Sequence, residues 1–261
     1  MSATGRSAAG RLVCSAFAAC FLLSLSPRVE AFHVGDRHVH LNGQYLDVTW
    51  DTLTLAPQNI TAVGSDLLEV KNVAGLTKSE VNDIGALLVS KYGTLLKVRP
   101  EHLILRKAEK TGGIWHVNYQ QTVRGVAVCD SSLEFSIDPD GRIKSLDAIL
   151  YPDARIPGSV KIQRGEAKKA AKGSLSEAER KEYRLRAETV AIFPERKAGA
   201  VDYRQVYVFN LFPRKNGKGA PAGGCPVLVD AQTGRVVRTQ APMKRYEGGQ
   251  PKDEIPEDTY Q

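Results

Sequence analysis

Three histidines stand close together near the start of the chain, at 33, 38 and 40, and on an extended strand His38 and His40 share a face. A zinc site needs three or four ligands, and no cysteine or carboxylate accompanies these residues at a recognised ligand spacing, so solvated histidines are expected there. The paired carboxylates Asp138/Asp140 and Asp253/Glu254 fall in a turn and near the C-terminus, where nothing excludes water to shift their proton affinity. His116 and Cys129 are neighbours in sequence distance only. Gly217-Lys218-Gly219 and Gly223-Gly224 read as a loop that bends freely, because a phosphate loop would end in Lys-Ser or Lys-Thr. The chain has no Gly-x-Ser-x-Gly, and no His-Glu-x-x-His to hold zinc on one helix face while the glutamate activates water. These residues predict a binding protein without catalytic residues, cofactor or metal.

The stretch 114–151 carries the clearest structural signal. Trp115, Val117 and Tyr119 alternate with His116, Asn118 and Gln120, which marks a strand with one buried and one wet face. Leu133, Phe135 and Ile137 repeat the alternation, with Glu134 and Ser136 outward. Asp138-Pro139-Asp140-Gly141 supplies a turn in which proline presets φ and glycine accepts a positive φ. Residues 143–150 return as the next strand, completing an antiparallel meander. Upstream, Thr77-Lys78-Ser79-Glu80 is a capping box opening a helix whose stripe is Val81, Ile84, Leu87 and Leu88, with Gly93 expected at its end. A short strand is expected around 103–106. The segment 32–75 is the least readable part, with strand-like pieces at 39–41 and 46–50.

Tyr119-Gln120-Gln121-Thr122, then Arg124-Gly125-Val126-x-Val128, then a strand closing on Asp140-Gly141-Arg142-Ile143-x-Ser145-Leu146, resembles the FTP motif of fungalysin- and thermolysin-family zinc peptidase propeptides. The resemblance covers roughly 76–151. It departs at Ala127, where proline is usual, and at Cys129-Asp130, where an aromatic and a glycine are usual. After a Pro/Gly linker (Pro152, Pro157, Gly158), residues 160–240 repeat the plan more loosely. Helices are expected at 164–172 and 176–187, the second opened by Ser176-Glu177-Ala178-Glu179, and strands at 190–193, 203–212, 226–229 and 235–239. The helix near Glu166, the long strand and the closing Val229-Asp230-Ala231-Gln232-Thr233-Gly234-Arg235 resemble a PepSY domain, the module that follows the FTP motif in the same propeptides. The combined resemblance implies an α+β fold of two small modules, each a helix on an antiparallel sheet in a cystatin-like arrangement.

The first 31 residues read as a secretory signal, with Arg6 and Arg11 ahead of an apolar run over 12–25 and Val29-Glu30-Ala31 as a small-residue cleavage site. The mature chain would begin at Phe32 and be secreted or periplasmic. Phe17-Ala18-Ala19-Cys20 is close to a lipidation box, but the apolar run continues past that cysteine. Without the leader the formal charge falls from +7 to +5, with 33 basic and 28 acidic residues. Cys129 and Cys225 remain, and two accounts are open: one disulfide in an oxidising compartment, or two buried thiols. With 42% hydrophobic and 25% charged residues the chain can bury a core. Its aromatics are sparse and its basic residues spread out, which argues against nucleic acid as partner. The rest of the chain has no second apolar stretch, so no membrane contact is expected of the mature form. Residues 213–224 read as a flexible loop and 241–261, with three prolines and an acidic cluster, as a disordered tail.

Resemblance to the propeptides implies the role: those regions hold a thermolysin-like metallopeptidase inactive or assist its folding, and a free-standing copy could do so in trans. Gln120, Gln121 and Arg124 are the residues expected near such a partner surface, and Ile255 is the apolar residue that the tail could offer to a cleft. For the two glutamines the alternative is that they satisfy local backbone groups. Two other readings of the whole chain are an envelope scaffold or ligand sensor with no protease partner, and a truncated relic of a peptidase precursor.

Overall fold

The computed structural model describes residues 33–214 and 226–239. The expected signal segment, most of the Lys/Gly/Pro loop, the tail, Cys225 and Ile255 lie outside the described residues.

The described chain is α+β, with two large antiparallel sheets, a separate two-stranded ribbon and their associated helices. It opens with strands β1 (His38–Leu41), β2 (Gln44–Trp50), β3 (Pro57–Ala62) and a short β4 (Leu68–Glu69), then helix α1 (Lys78–Leu96). Strands β5 (Leu103–Thr111), β6 (Ile114–Val123), β7 (Val126–Ala127), β8 (Ser132–Ile137), β9 (Arg142–Ile143) and β10 (Ser145–Ile149) follow. The first sheet runs β1-β2-β3-β10-β8-β6-β5, with β7 paired to the far end of β6 and β4 paired separately to β9. Residues 38–62 therefore share a sheet with the meander, through Leu146 opposite Ile60.

The expected alternation holds in β6 and β8. Trp115, Val117, Tyr119, Leu133, Phe135 and Ile137 are buried, while His116, Glu134 and Ser136 face out. Helix α1 lies against the buried face, where the Tyr119 hydroxyl donates to the Asn82 carbonyl at 3.2 Å and the ring fills the space beside Gly85. Its start is the expected box: the Glu80 amide donates to Thr77 Oγ1 at 3.3 Å and the Thr77 amide to Glu80 Oε2 at 2.7 Å. Its end differs. The helix continues past Gly93 to Leu96, and Lys97 takes the left-handed cap at φ 56°. Leu95 and Leu96 are fully buried, and burying each gains about 1.5–3 kcal/mol, more than the roughly 1–2 kcal/mol of a non-glycine cap.

The second half comprises α2 (Arg164–Gly173), α3 (Glu177–Glu182), and strands β11 (Tyr183–Lys197), β12 (Ala200–Pro213), β13 (Pro226–Asp230) and β14 (Val236–Thr239), ordered as numbered in one sheet. The helix expected over 176–187 stops at Glu182. From Tyr183 onward, Tyr183 and Leu185 alternate with exposed Arg184 and Arg186, and this period of two pairs with β12 as a long hairpin. Helix α2 buries Ala167 and Ala171 against Phe209, Leu211, Val227 and Val229, small residues letting the helix approach the sheet closely. Asp230 closes the β13–β14 turn, its Oδ1 accepting the amides of Gln232 and Thr233 at 2.9 Å each.

Candidate functional site

The wet face of the first sheet is an open groove of about 580 Å³. Register places one polar residue from each of six neighbouring strands in a single row across it: Thr49, Asn59, Asp147, Glu134, Asn118 and Lys107. Within the row Asn118 Nδ2 donates to Glu134 Oε1 at 2.7 Å, and Asn59 Nδ2 donates to Asp147 Oδ1 at 2.8 Å. Glu134 and Asp147 sit directly opposite each other, a like-charge pair that costs stability in a sheet and is tempered here by the flanking amides. His116 and Ser136 form the next pair, 3.3 Å apart, and Arg142 and Lys144 rim one end. Such a face offers hydrogen-bond donors and acceptors to a docked chain. It offers no enclosed, dry pocket for catalysis.

The phrase 120–130 lies elsewhere, at the joint between the two sheets. Arg124 and Gly125, at φ 50° and 79°, form the tight turn from β6 to β7, which explains the Arg-Gly step in the motif. Past β7 the chain crosses to the second sheet: Val128 bridges Ile192 in parallel, and the Cys129 amide donates to the Ile192 carbonyl at 2.7 Å. Val128, Tyr151 and Ile192 form a buried cluster flanked by Val123, Val126 and Tyr203, with the Tyr151 and Tyr203 rings edge to face at 6.4 Å.

The residues expected at a partner surface separate accordingly. Gln121 is only 3% exposed, and its amide is spent on one residue: Nε2 donates to the Tyr151 carbonyl at 2.8 Å and Oε1 accepts the Tyr151 amide at 2.9 Å. Gln121 is thus a buried fastener: Tyr151 ends the meander inside the joint, its amide is met by Gln121 alone among the described residues, and its carbonyl is shared with the Ala154 amide at 3.0 Å. Gln120 is half-buried and donates to the Val128 carbonyl at 3.2 Å. Arg124 is exposed at the hairpin tip. Cys129 packs against the buried cluster of Ala191, Val206 and Leu228, and burial, with the charge of Asp130, pushes its thiol up to about 11, so as a thiol it stays protonated at neutral pH. No disulfide to it is formed among the described residues.

Two ion pairs across the joint have no local sequence signal, since their partners are 145 and 108 residues apart. Arg238 binds Asp130 with both terminal nitrogens, at 2.5 and 3.2 Å, and stacks 5.3 Å over Phe193. Asp130 holds φ 56°, the left-handed region that explains glycine as the usual residue there. Arg196 donates to Asp51 at 2.5 Å, and Asp51 is 6% exposed. Burial alone would raise the Asp51 carboxyl, but the Thr54 amide, Arg196 and the Leu53 amide together bring it down to about 2. A depressed carboxylate stabilises the fold above its unfolded value and loses that contribution as pH falls through its folded value. The wild type should therefore lose most of about 2 kcal/mol relative to Asp51→Asn between roughly pH 6 and pH 2.5. Denaturant unfolding of both proteins at the two pH values measures it, and parallel losses would refute the assignment.

The fungalysin/thermolysin propeptide motif matches residues 101–147, from the turn before β5 to within β10. The chain carries an FTP motif. The match builds the central strands of the groove and the crossing to the second sheet. No curated protein matches the sequence. Among solved structures the chain is similar to the YpeB C-terminal domain of Bacillus megaterium, at 13% identity over 76% of each chain with a TM-score of 0.40. It is likewise similar to an uncharacterised protein of Eubacterium rectale, at 11% identity over 78% of this chain and 75% of that one, also at 0.40. No cluster of His, Cys, Asp and Glu that could hold a metal ion occurs among the described residues. No helix among those residues is long and apolar enough to cross a membrane.

Proposed function

We propose that the chain is a secreted propeptide-like protein that binds a thermolysin-like zinc metallopeptidase and holds it inactive or assists its folding. The observation that carries this reading is the FTP motif at 101–147, whose strands form the floor of an open polar groove instead of an enclosed reaction site. In this reading residues 76–151 act as the FTP-like module and 160–240 as a PepSY-like module, in the cystatin-like arrangement of the propeptides. The leader through Ala31 directs export. Docking then relies on buried surface and backbone-like hydrogen bonds along Asn118, Glu134, Ser136 and Asp147, with Arg124 projecting at the joint. Capture with the chain beginning at Phe32 from its own culture supernatant should recover a zinc peptidase. Two charge reversals in the groove, Glu134→Lys and Asp147→Lys, should reduce that recovery at least tenfold. Recovery of no peptidase would contradict the reading, and recovery unaffected by the reversals would move the contact off the groove.

A further inference from the structure

A second polar feature lies on the four-stranded sheet, far in sequence from the FTP motif. Lys168 and Lys172 of α2, Arg180 of α3, Arg184 of β11 and Arg214 after β12 line a pocket of about 230 Å³, with no acidic side chain among its described lining residues. The guanidinium groups are held in place: Arg214 Nε donates to the carbonyls of Arg180 and Tyr183 at 3.3 and 3.1 Å, and Arg180 Nε to the Ser176 carbonyl at 3.4 Å. The C-terminal ends of α2 and α3 attract cations and account for Lys172 and Arg180. Arg214 also serves the end of α3 through the Arg180 and Tyr183 carbonyls, but Lys168 and Arg184 serve no helix end, so helix dipoles do not explain all five cations around one cavity.

We propose that this pocket seats the chain's own acidic segment 253–258, Asp-Glu-Ile-Pro-Glu-Asp, docked in cis. Charge supports the match, four carboxylates against five cations. The route of the chain supports it as well. Strand β14 runs so that its last residue, Thr239, lies opposite Val227, which lies opposite Phe209, which lies opposite Ala187. The chain thus leaves the sheet towards the end where Tyr183, Leu185 and Arg214 border the pocket. Three strand spacings and about two residues along the strand put that exit roughly 16 Å from Leu185. Thirteen residues separate Thr239 from Asp253, and as a coil they average about 20 Å between ends, close to the span that maximises effective concentration. At that local concentration of order millimolar, several weak ion pairs hold the segment at low salt and release it at high salt. The seat is independent of any peptidase.

Carbodiimide coupling of the dilute chain beginning at Phe32, followed by peptide mass analysis, tests it. Asp253, Glu254, Glu257 and Asp258 should couple to Lys168 or Lys172 within the monomer. The yield should fall at least fivefold in about 0.5 M salt, where the screening length drops to a few ångströms. It should fall similarly in the double variant Arg180→Ser/Arg184→Ser, which leaves both lysines in place. The close Lys197–Asp202 pair, on the β11–β12 hairpin, should couple in every sample and shows that the reaction has run. Tail couplings scattered over other lysines, absent, or confined to the dimer would overturn docking in cis.

Discussion

Gln121→Leu should lower stability by about 2–3 kcal/mol, the cost of leaving the buried Tyr151 amide unpaired and of removing one of the two bonds to the Tyr151 carbonyl, which keeps the Ala154 amide. Leucine has nearly the volume of glutamine, so the loss reports the two hydrogen bonds to Tyr151 and not a cavity. The environment offers the Tyr151 amide no replacement. The Gln121 amide is already given to Ser131 Oγ at 3.0 Å, and that hydroxyl donates to the Val128 carbonyl at 2.8 Å, so the surrounding groups are all committed. Gln120→Ala is the matched control: its single bond to Val128, on a half-buried side chain, predicts a loss below about 1 kcal/mol. Urea unfolding midpoints of the two variants measure the difference. Equal, small losses would show that the fastener at the joint is dispensable.

Gly141→Ala is the other large effect, at about 3 kcal/mol or more. A Cβ at this position would stand 1.9 Å from the Val70 carbonyl oxygen, and φ is +85°, so the substitution meets backbone and also strains its own. Relief would require moving Val70 away, which breaks its amide bond of 2.7 Å to the Gly141 carbonyl and unzips β4 from β9. Gly125→Ala separates the two causes. Gly125 has φ +79° but nothing within 4 Å of a Cβ, so only the conformational cost of about 1 kcal/mol applies. If both alanine variants unfold at the same denaturant concentration, the close approach of Val70 and Gly141 has no energetic weight.

What the sequence discloses in advance is what a few adjacent residues determine. Period two in 115–119 and 133–137, the box Thr77–Glu80 and the turn Asp138–Gly141 are each local patterns, and each appears as expected. The failures have a common cause, which is tertiary packing. Leu95 and Leu96 carry α1 beyond Gly93 because the core receives them. The helix expected through 187 yields to a strand because β12 provides a partner from Phe212 back to Val201. Residues 38–62 gave only scattered strand signals, since their place depends on β10, more than eighty residues on. The site was legible in part for the same reason. The polar residues of β6 and β8 were visible as outward positions, but their row with Asn59 and Asp147 emerges only with the register. Gln121 reads as polar and surface-seeking, yet its partner Tyr151 is thirty residues away and draws it inside.

Regulation of a peptidase shows itself in a titration. Residual activity of a thermolysin-like metallopeptidase secreted by the same cells should fall towards zero as the chain beginning at Phe32 is added in increasing amount. The midpoint should shift at least tenfold in the Glu134→Lys/Asp147→Lys variant. Deleting residues 243–261 in parallel separates the contributions: weaker inhibition assigns part of the contact to the tail with Ile255, and unchanged inhibition assigns it to the folded surfaces. Full peptidase activity at every concentration of the intact chain would contradict the account.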